Sequence, residues 1–141
     1  MNILIIDALG GGAGKQLVAL IQERFPNLEL HAVGTNSIAA NAMLKAGATY
    51  AATGENAVIV GCRKADIIIG PVGIVIADAL HGEITPAMAL AVAQSNAKRI
   101  LIPFNQCDTI VAGITNTSMS RLLQSAVDEL TIILERGKKN I

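Results

Sequence analysis

Apolar residues occur in two kinds of run along this chain. Residues 2–8 (NILIIDA) and 66–70 (DIIIG) are short, almost unbroken and rich in isoleucine, which predicts strands buried on both faces. Residues 28–33 alternate, with Leu28, Leu30 and Ala32 against Glu29, His31 and Val33, and predict a more exposed strand. Shorter runs predict strands at 48–52, 99–104 and 109–114. Between the strands the spacing turns helical. Residues 15–25 place Leu17, Leu20, Ile21 and Phe25 on one face, and helices are expected over 37–46, closed by Gly47, and over 55–64. Thr85 suits an N-cap and Pro86 a first turn for a helix over 86–95. The longest helix, 118–136, carries a one-sided stripe: Met119, Leu122, Leu123, Ala126, Val127, Leu130, Ile133 and Leu134.

Strands alternating with helices imply a parallel sheet with right-handed crossovers. The two most apolar strands belong side by side at its centre, with 28–33 and 48–52 outward on one flank. That is a three-layer α/β, Rossmann-like domain with strand order 3-2-1-4-5 and a sheet of about five to six strands. The link from Phe104 to Thr109 is too short for a parallel crossover, so strand 109–114 is expected to be antiparallel or at an edge. Residues 74–80 form an additional segment between strands 66–70 and 99–104. They look helical and are apolar on nearly every side, interrupted only by Asp78. Such a helix needs cover all round, either from the core or from a partner chain in a homodimer that uses this segment, the final helix, or both.

The length of 141 residues suits one domain with a sizeable core. Apolar residues make up 52% and aromatics only 2%, so the core is built of Ile, Leu, Val and Ala. The formal net charge is zero and the basic residues form no stripe, which counts against nucleic acid as a partner. No apolar run reaches the roughly 18 to 20 residues of a membrane span. The N-terminus enters a strand with no basic n-region, so no signal peptide is expected, and Cys62 and Cys107 read as reduced thiols of a cytoplasmic protein.

In open α/β sheets ligands bind beyond the carboxyl ends of the strands. Those ends are polar and small throughout. They carry Asp7 and the run Gly10, Gly11, Gly12, Gly14 and Lys15, and then Gly34, Thr35, Asn36 and Ser37. Thr53, Glu55 and Asn56 follow the third strand, Gly70 and Pro71 the fourth, and Asn105 the fifth. Glycines let a ligand approach the backbone, and a helix N-terminus offers free N–H groups to a phosphate. A P-loop would need a glycine where Leu9 stands and a hydroxyl where Gln16 stands. The dinucleotide fingerprint fits Gly10 and Gly12, but Lys15 replaces its third glycine. The acid it wants after the second strand is replaced by Gly34, Thr35, Asn36 and Ser37. Loss of that acid weakens the case for NAD and leaves NADP or a mononucleotide, with hydroxyls holding a phosphate. The alternative is that Thr35 or Asn36 only caps a helix.

Asp78, His81 and Glu83 form a D-x-x-H-x-E cluster, with Asp78 and His81 on one helix face. They are candidates for acid–base catalysis or for a metal, against a plain reading in which His81 and Gly82 close a helix. Glu55 is either a base in the site or an acid complementing a helix start. His31, mid-strand, reads as structural. Cys107, on a rim loop, is the better placed thiol but has no base near it in sequence.

The chain resembles, end to end, a family of small uncharacterised bacterial proteins known as a domain of unknown function. The likeness lies in Asp7 with Gly10 to Gln16, in Gly34 to Ser37, in Thr53 to Ala57, and in Gly70 through Asp78 to Pro86. It implies a bacterial cytosolic protein with a Rossmann-like sheet and supplies no activity or catalytic residue. Three classes of function stay open. One is a protein that binds a small phosphorylated ligand, another an enzyme using the same rim. The third is an interaction module assembling through 74–80.

Overall fold

A computed structural model describes residues 1–104, 108–114 and 117–139. The elements run β1 Ile3–Asp7, α1 Gly12–Arg24, β2 Leu30–Gly34, α2 Ser37–Ala46, β3 Tyr50–Thr53 and α3 Glu55–Lys64. They continue with β4 Ile67–Pro71, a 3-10 turn Val72–Val75, α4 Pro86–Gln94, β5 Lys98–Ile102 and α5 Met119–Lys139. The sheet is parallel in the order β3-β2-β1-β4-β5, as the distribution of apolar runs predicts. The chain therefore has a Rossmann-like, doubly wound α/β fold.

Side chains of a strand alternate between faces, so the continuous apolar runs feed two cores. Ile3, Ile5, Ile67 and Ile69 pack with Leu17, Val18 and Ile21 of α1, Met43 of α2 and Leu123, Val127 and Leu130 of α5. Leu4, Ile6 and Ile68 pack on the other face with Val58 and Cys62 of α3 and Met88 and Val92 of α4. β2 is better buried than its alternation predicts, with His31 alone half-exposed, because Val33 packs into the second core. His31 lies opposite Tyr50 on the sheet, ring centroids 5.0 Å apart, which suits its structural reading. Cys62 is sealed in the second core, and burial pushes its thiol up to about 11.

Two expected elements do not form. Residues 109–114 contain only an isolated bridge at Thr109 and a turn with Gly113 at φ +90°, and Ile110 is left 89% exposed. Residues 74–80 are not an α-helix. The 3-10 turn ends at Val75, and Asp78, Leu80 and His81 then adopt left-handed φ values of 66°, 56° and 57°. The strap is closed by Asp78 N–H donating to Ile84 O at 2.7 Å and Ile84 N–H donating to Ala79 O at 3.2 Å. Its apolar side chains Ile74, Leu80 and Ile84 are buried in the chain's own second core. Among the described residues, no helix is long and apolar enough to cross a membrane.

Candidate functional site

β1 delivers Asp7 to the carboxyl end of the sheet as the one charged residue among its five, and all five are buried. A buried carboxylate needs donors, and the first turn of α1 supplies one of them. Asp7 accepts from Ala8 N–H at 2.8 Å and from Gly14 N–H at 2.7 Å. Burial pushes the carboxyl above its ordinary value, and these two bonds oppose the shift. The carboxylate also complements the positive end of α1, worth about 0.3–1 kcal/mol in such positions. α1 begins at Gly12 and not at Lys15, so Gly12, Gly14 and Lys15 all belong to its first turn.

The glycines of the rim then divide by what a side chain would meet. A Cβ on Gly14 would lie 2.7 Å from Met43 Sδ and 2.9 Å from Asp7 Cβ. One on Gly34 would run into the Ala40 amide, and one on Gly70 would lie 2.5 Å from Ile6 O. Gly11, at φ +73°, abuts the α2 backbone. These four are required by packing. Gly10 and Gly12 are different: a Cβ at either meets nothing within 4 Å, and neither has a left-handed φ. Among the described residues no acceptor meets the N–H of Gly10, Gly12 or Ala13.

Glu83 joins the strap after β4 to this turn. Its Oε1 accepts from Leu9 N–H at 3.0 Å, Thr35 Oγ1 at 2.6 Å and Asn36 Nδ2 at 2.7 Å. Desolvation works to raise the carboxyl, but the bonds from Thr35, Leu9 and Asn36 and the nearby His81 outweigh it and hold it below its ordinary value. Asn36 also donates to Leu9 O at 2.9 Å, and its Oδ1 caps α2 by accepting from Ala39 N–H at 2.9 Å. The capping reading of Asn36 therefore holds, and the Thr35 hydroxyl is committed to a carboxylate.

At the topological switch between β1 and β4 a cavity of about 450 Å³ opens, lined by Leu9, Ile76, Asp78, Leu80, His81 and Asp108 among others. Leu9, Asp78, Leu80 and His81 are the four non-glycine residues with positive φ among those described, and all of them line it. Asp78 and His81 face this space from a turn and do not share a helix face as expected. Glu83 is turned away to the β2 side, and among the described residues no three His, Cys, Asp or Glu groups converge as metal ligands would. Lys15 and Ser37 lie apart, on a cleft of about 530 Å³ with Asn41 and Lys45 between α1 and α2. Thr53, Glu55 and Asn56 are exposed at the β3 edge and line none of these spaces, with Glu55 in the first turn of α3. Pro71 is buried at the end of β4. Asn105 and Cys107 fall outside the described residues.

Sequence reasoning missed the Glu83 contact because its partners are 47 to 74 residues away. The role of Asp7 did have a signal, an acid closing an otherwise apolar strand just before a helix start.

Fold and rim define a Rossmann-like α/β domain whose switch-point cavity lies beside an open glycine turn. The chain belongs to the family described as Domain of unknown function (DUF3842), whose model matches residues 2–135. Among curated proteins none matches it. A solved structure of a dodecameric FMN-dependent UbiX-like decarboxylase from Escherichia coli O157:H7 is similar at 19% identity and a TM-score of 0.44. That match covers 92% of this chain and 76% of the other.

Proposed function

We propose that the protein binds a small phosphorylated ligand of the nucleotide class, with its phosphate on the backbone of Gly10, Gly12 and Ala13, beside the switch-point cavity. The observation that carries this reading is the openness of Gly10 and Gly12, which neither packing nor backbone conformation requires to be glycine. Close approach of a ligand does require it. Strained residues gathered around one cavity support the same reading, since such strain collects at binding sites.

The test is thermal unfolding of the wild type and of Gly12→Val with NAD, NADP, AMP, ATP and sugar phosphates. Ligand at about 100 times its dissociation constant adds roughly 2.7 kcal/mol, which raises the midpoint by several degrees. A shift with one phosphorylated compound, lost in Gly12→Val, is expected. No shift with any of them would refute the reading. If a reaction follows binding, its acid–base groups are Asp78 and His81, which line the cavity, and His81→Ala would remove turnover with the fold intact.

A further inference from the structure

In dinucleotide-binding sheets an acid at the end of the second strand accepts the ribose 2′-hydroxyl, and a basic residue accommodates a 2′-phosphate there. This chain has no acid in that turn, which reads Gly34, Thr35, Asn36, Ser37. The strap after β4 brings one. Glu83 Oε1 is held 2.6 Å from Thr35 Oγ1, 2.7 Å from Asn36 Nδ2 and 3.0 Å from Leu9 N, so the carboxylate lies over the gap between the ends of β1 and β2. Leu9 leads directly into Gly10 and Gly12, whose surroundings are open. All three bonds use Oε1, and among the described residues no donor meets Oε2 of this partly exposed side chain. The Thr35 and Asn36 donors that a second phosphate would need already serve this anion.

We infer that Glu83 is the sugar-reading carboxylate of the site: Oε2 accepts a ribose hydroxyl, and the fixed negative charge rejects a phosphate on it. This rests on the proposed phosphate at Gly10 and Gly12 and narrows the ligand to ribonucleotides with a free 2′-hydroxyl, which excludes NADP. Glu83 thus does for the ligand what an acid on β2 does elsewhere, from a different part of the chain.

Calorimetric titration of the full chain with adenosine 5′-monophosphate and with adenosine 2′,5′-bisphosphate tests this, because the two differ only in the 2′-phosphate. The wild type is expected to prefer the monophosphate by about tenfold or more, as a like charge about 5 Å away demands at the rim of a protein. Glu83→Gln keeps an oxygen acceptor for Leu9, Thr35 and Asn36 but loses the charge, and should bring the preference within about threefold. Thr35→Val, which removes one support and leaves the charge, should keep it. If Glu83→Gln does not fold, raising salt to about 1 M on the wild type should narrow the preference instead, since the Debye length is then only about 3 Å. Equal binding of both nucleotides to the wild type, or a preference unchanged in Glu83→Gln, overturns the role of Glu83 while the phosphate site stands. Binding of neither overturns both.

Discussion

Replacing Gly14 by alanine, with Gly12→Ala as its control, separates packing from openness within one turn of α1. The new methyl at Gly14 would lie 2.7 Å from Met43 Sδ, 2.9 Å from Asp7 Cβ and 3.0 Å from Asp7 Oδ2. The methionine end can swing away. Asp7 Cβ is fixed by the central strand, so α1 must lift or the Asp7 carboxylate must turn and lose its 2.7 Å bond from Gly14 N–H. Overpacking of this kind costs about 1–3 kcal/mol, and weakening a bond to a buried charge adds about 1 kcal/mol or more. Alanine returns about 0.5–1 kcal/mol of helix propensity. The net is a loss of about 1–3 kcal/mol, or about 4–12 °C in midpoint for a domain of this size. Gly12→Ala receives the same propensity gain and meets nothing within 4 Å, so its midpoint should stay or rise by a few degrees. Thermal and urea unfolding followed by circular dichroism read both variants. Equal midpoints, or a Gly12→Ala variant less stable than Gly14→Ala, would refute the placement of α1 against Asp7.

Asn36→Ala removes the α2 cap, one bond to the β1 turn at Leu9 O and one to the Glu83 carboxylate of the strap, and should cost about 1–2 kcal/mol in urea unfolding; a loss under about 0.3 kcal/mol would contradict those contacts. Asp7 sits above its ordinary 3.8 in the folded chain, so the native state holds its proton longer than the unfolded state. Its contribution is therefore most favourable at or below that value and declines as pH rises through the folded value. The stability difference between wild type and Asp7→Asn should fall across that window. A difference that grows with rising pH would show that the two N–H bonds outweigh burial.

The sheet was legible because its signal is local. Unbroken Ile-rich runs mark β1 and β4 as the centre, and the polar ends of every strand mark the rim, as the parallel pairings confirm. The site was legible only where chain neighbours make it. Asn36 as a cap and the start of α1 beside Asp7 both follow from short spacings. The glycine run reads as one phosphate loop, whereas packing claims its Gly11 and Gly14 and leaves only Gly10 and Gly12 of the run free. That division depends on which helix lies against which strand end, a property of tertiary distances that no residue spacing encodes.

Over 72–84 the chain forms a strap where the apolar pattern predicts a helix. Periodicity cannot distinguish a buried helix from a buried irregular segment when almost every residue is apolar. What decides is the balance of strain against burial. Left-handed conformations at Asp78, Leu80 and His81 cost about 1–2 kcal/mol each, least at the aspartate, for a total of roughly 3–6 kcal/mol. Burying Ile74, Leu80 and Ile84 gains about 1.5–3 kcal/mol apiece, or roughly 4–9 kcal/mol together, and the strap's hydrogen bonds add to it. A straight helix would avoid the strain, but it would carry its apolar residues around all sides and could not direct Ile74, Leu80 and Ile84 into one core. It would also break the chain path that sets Glu83 onto Leu9, Thr35 and Asn36. Burial therefore overcomes the strain, and the same turns that bury three apolar side chains aim one carboxylate at the far side of β1.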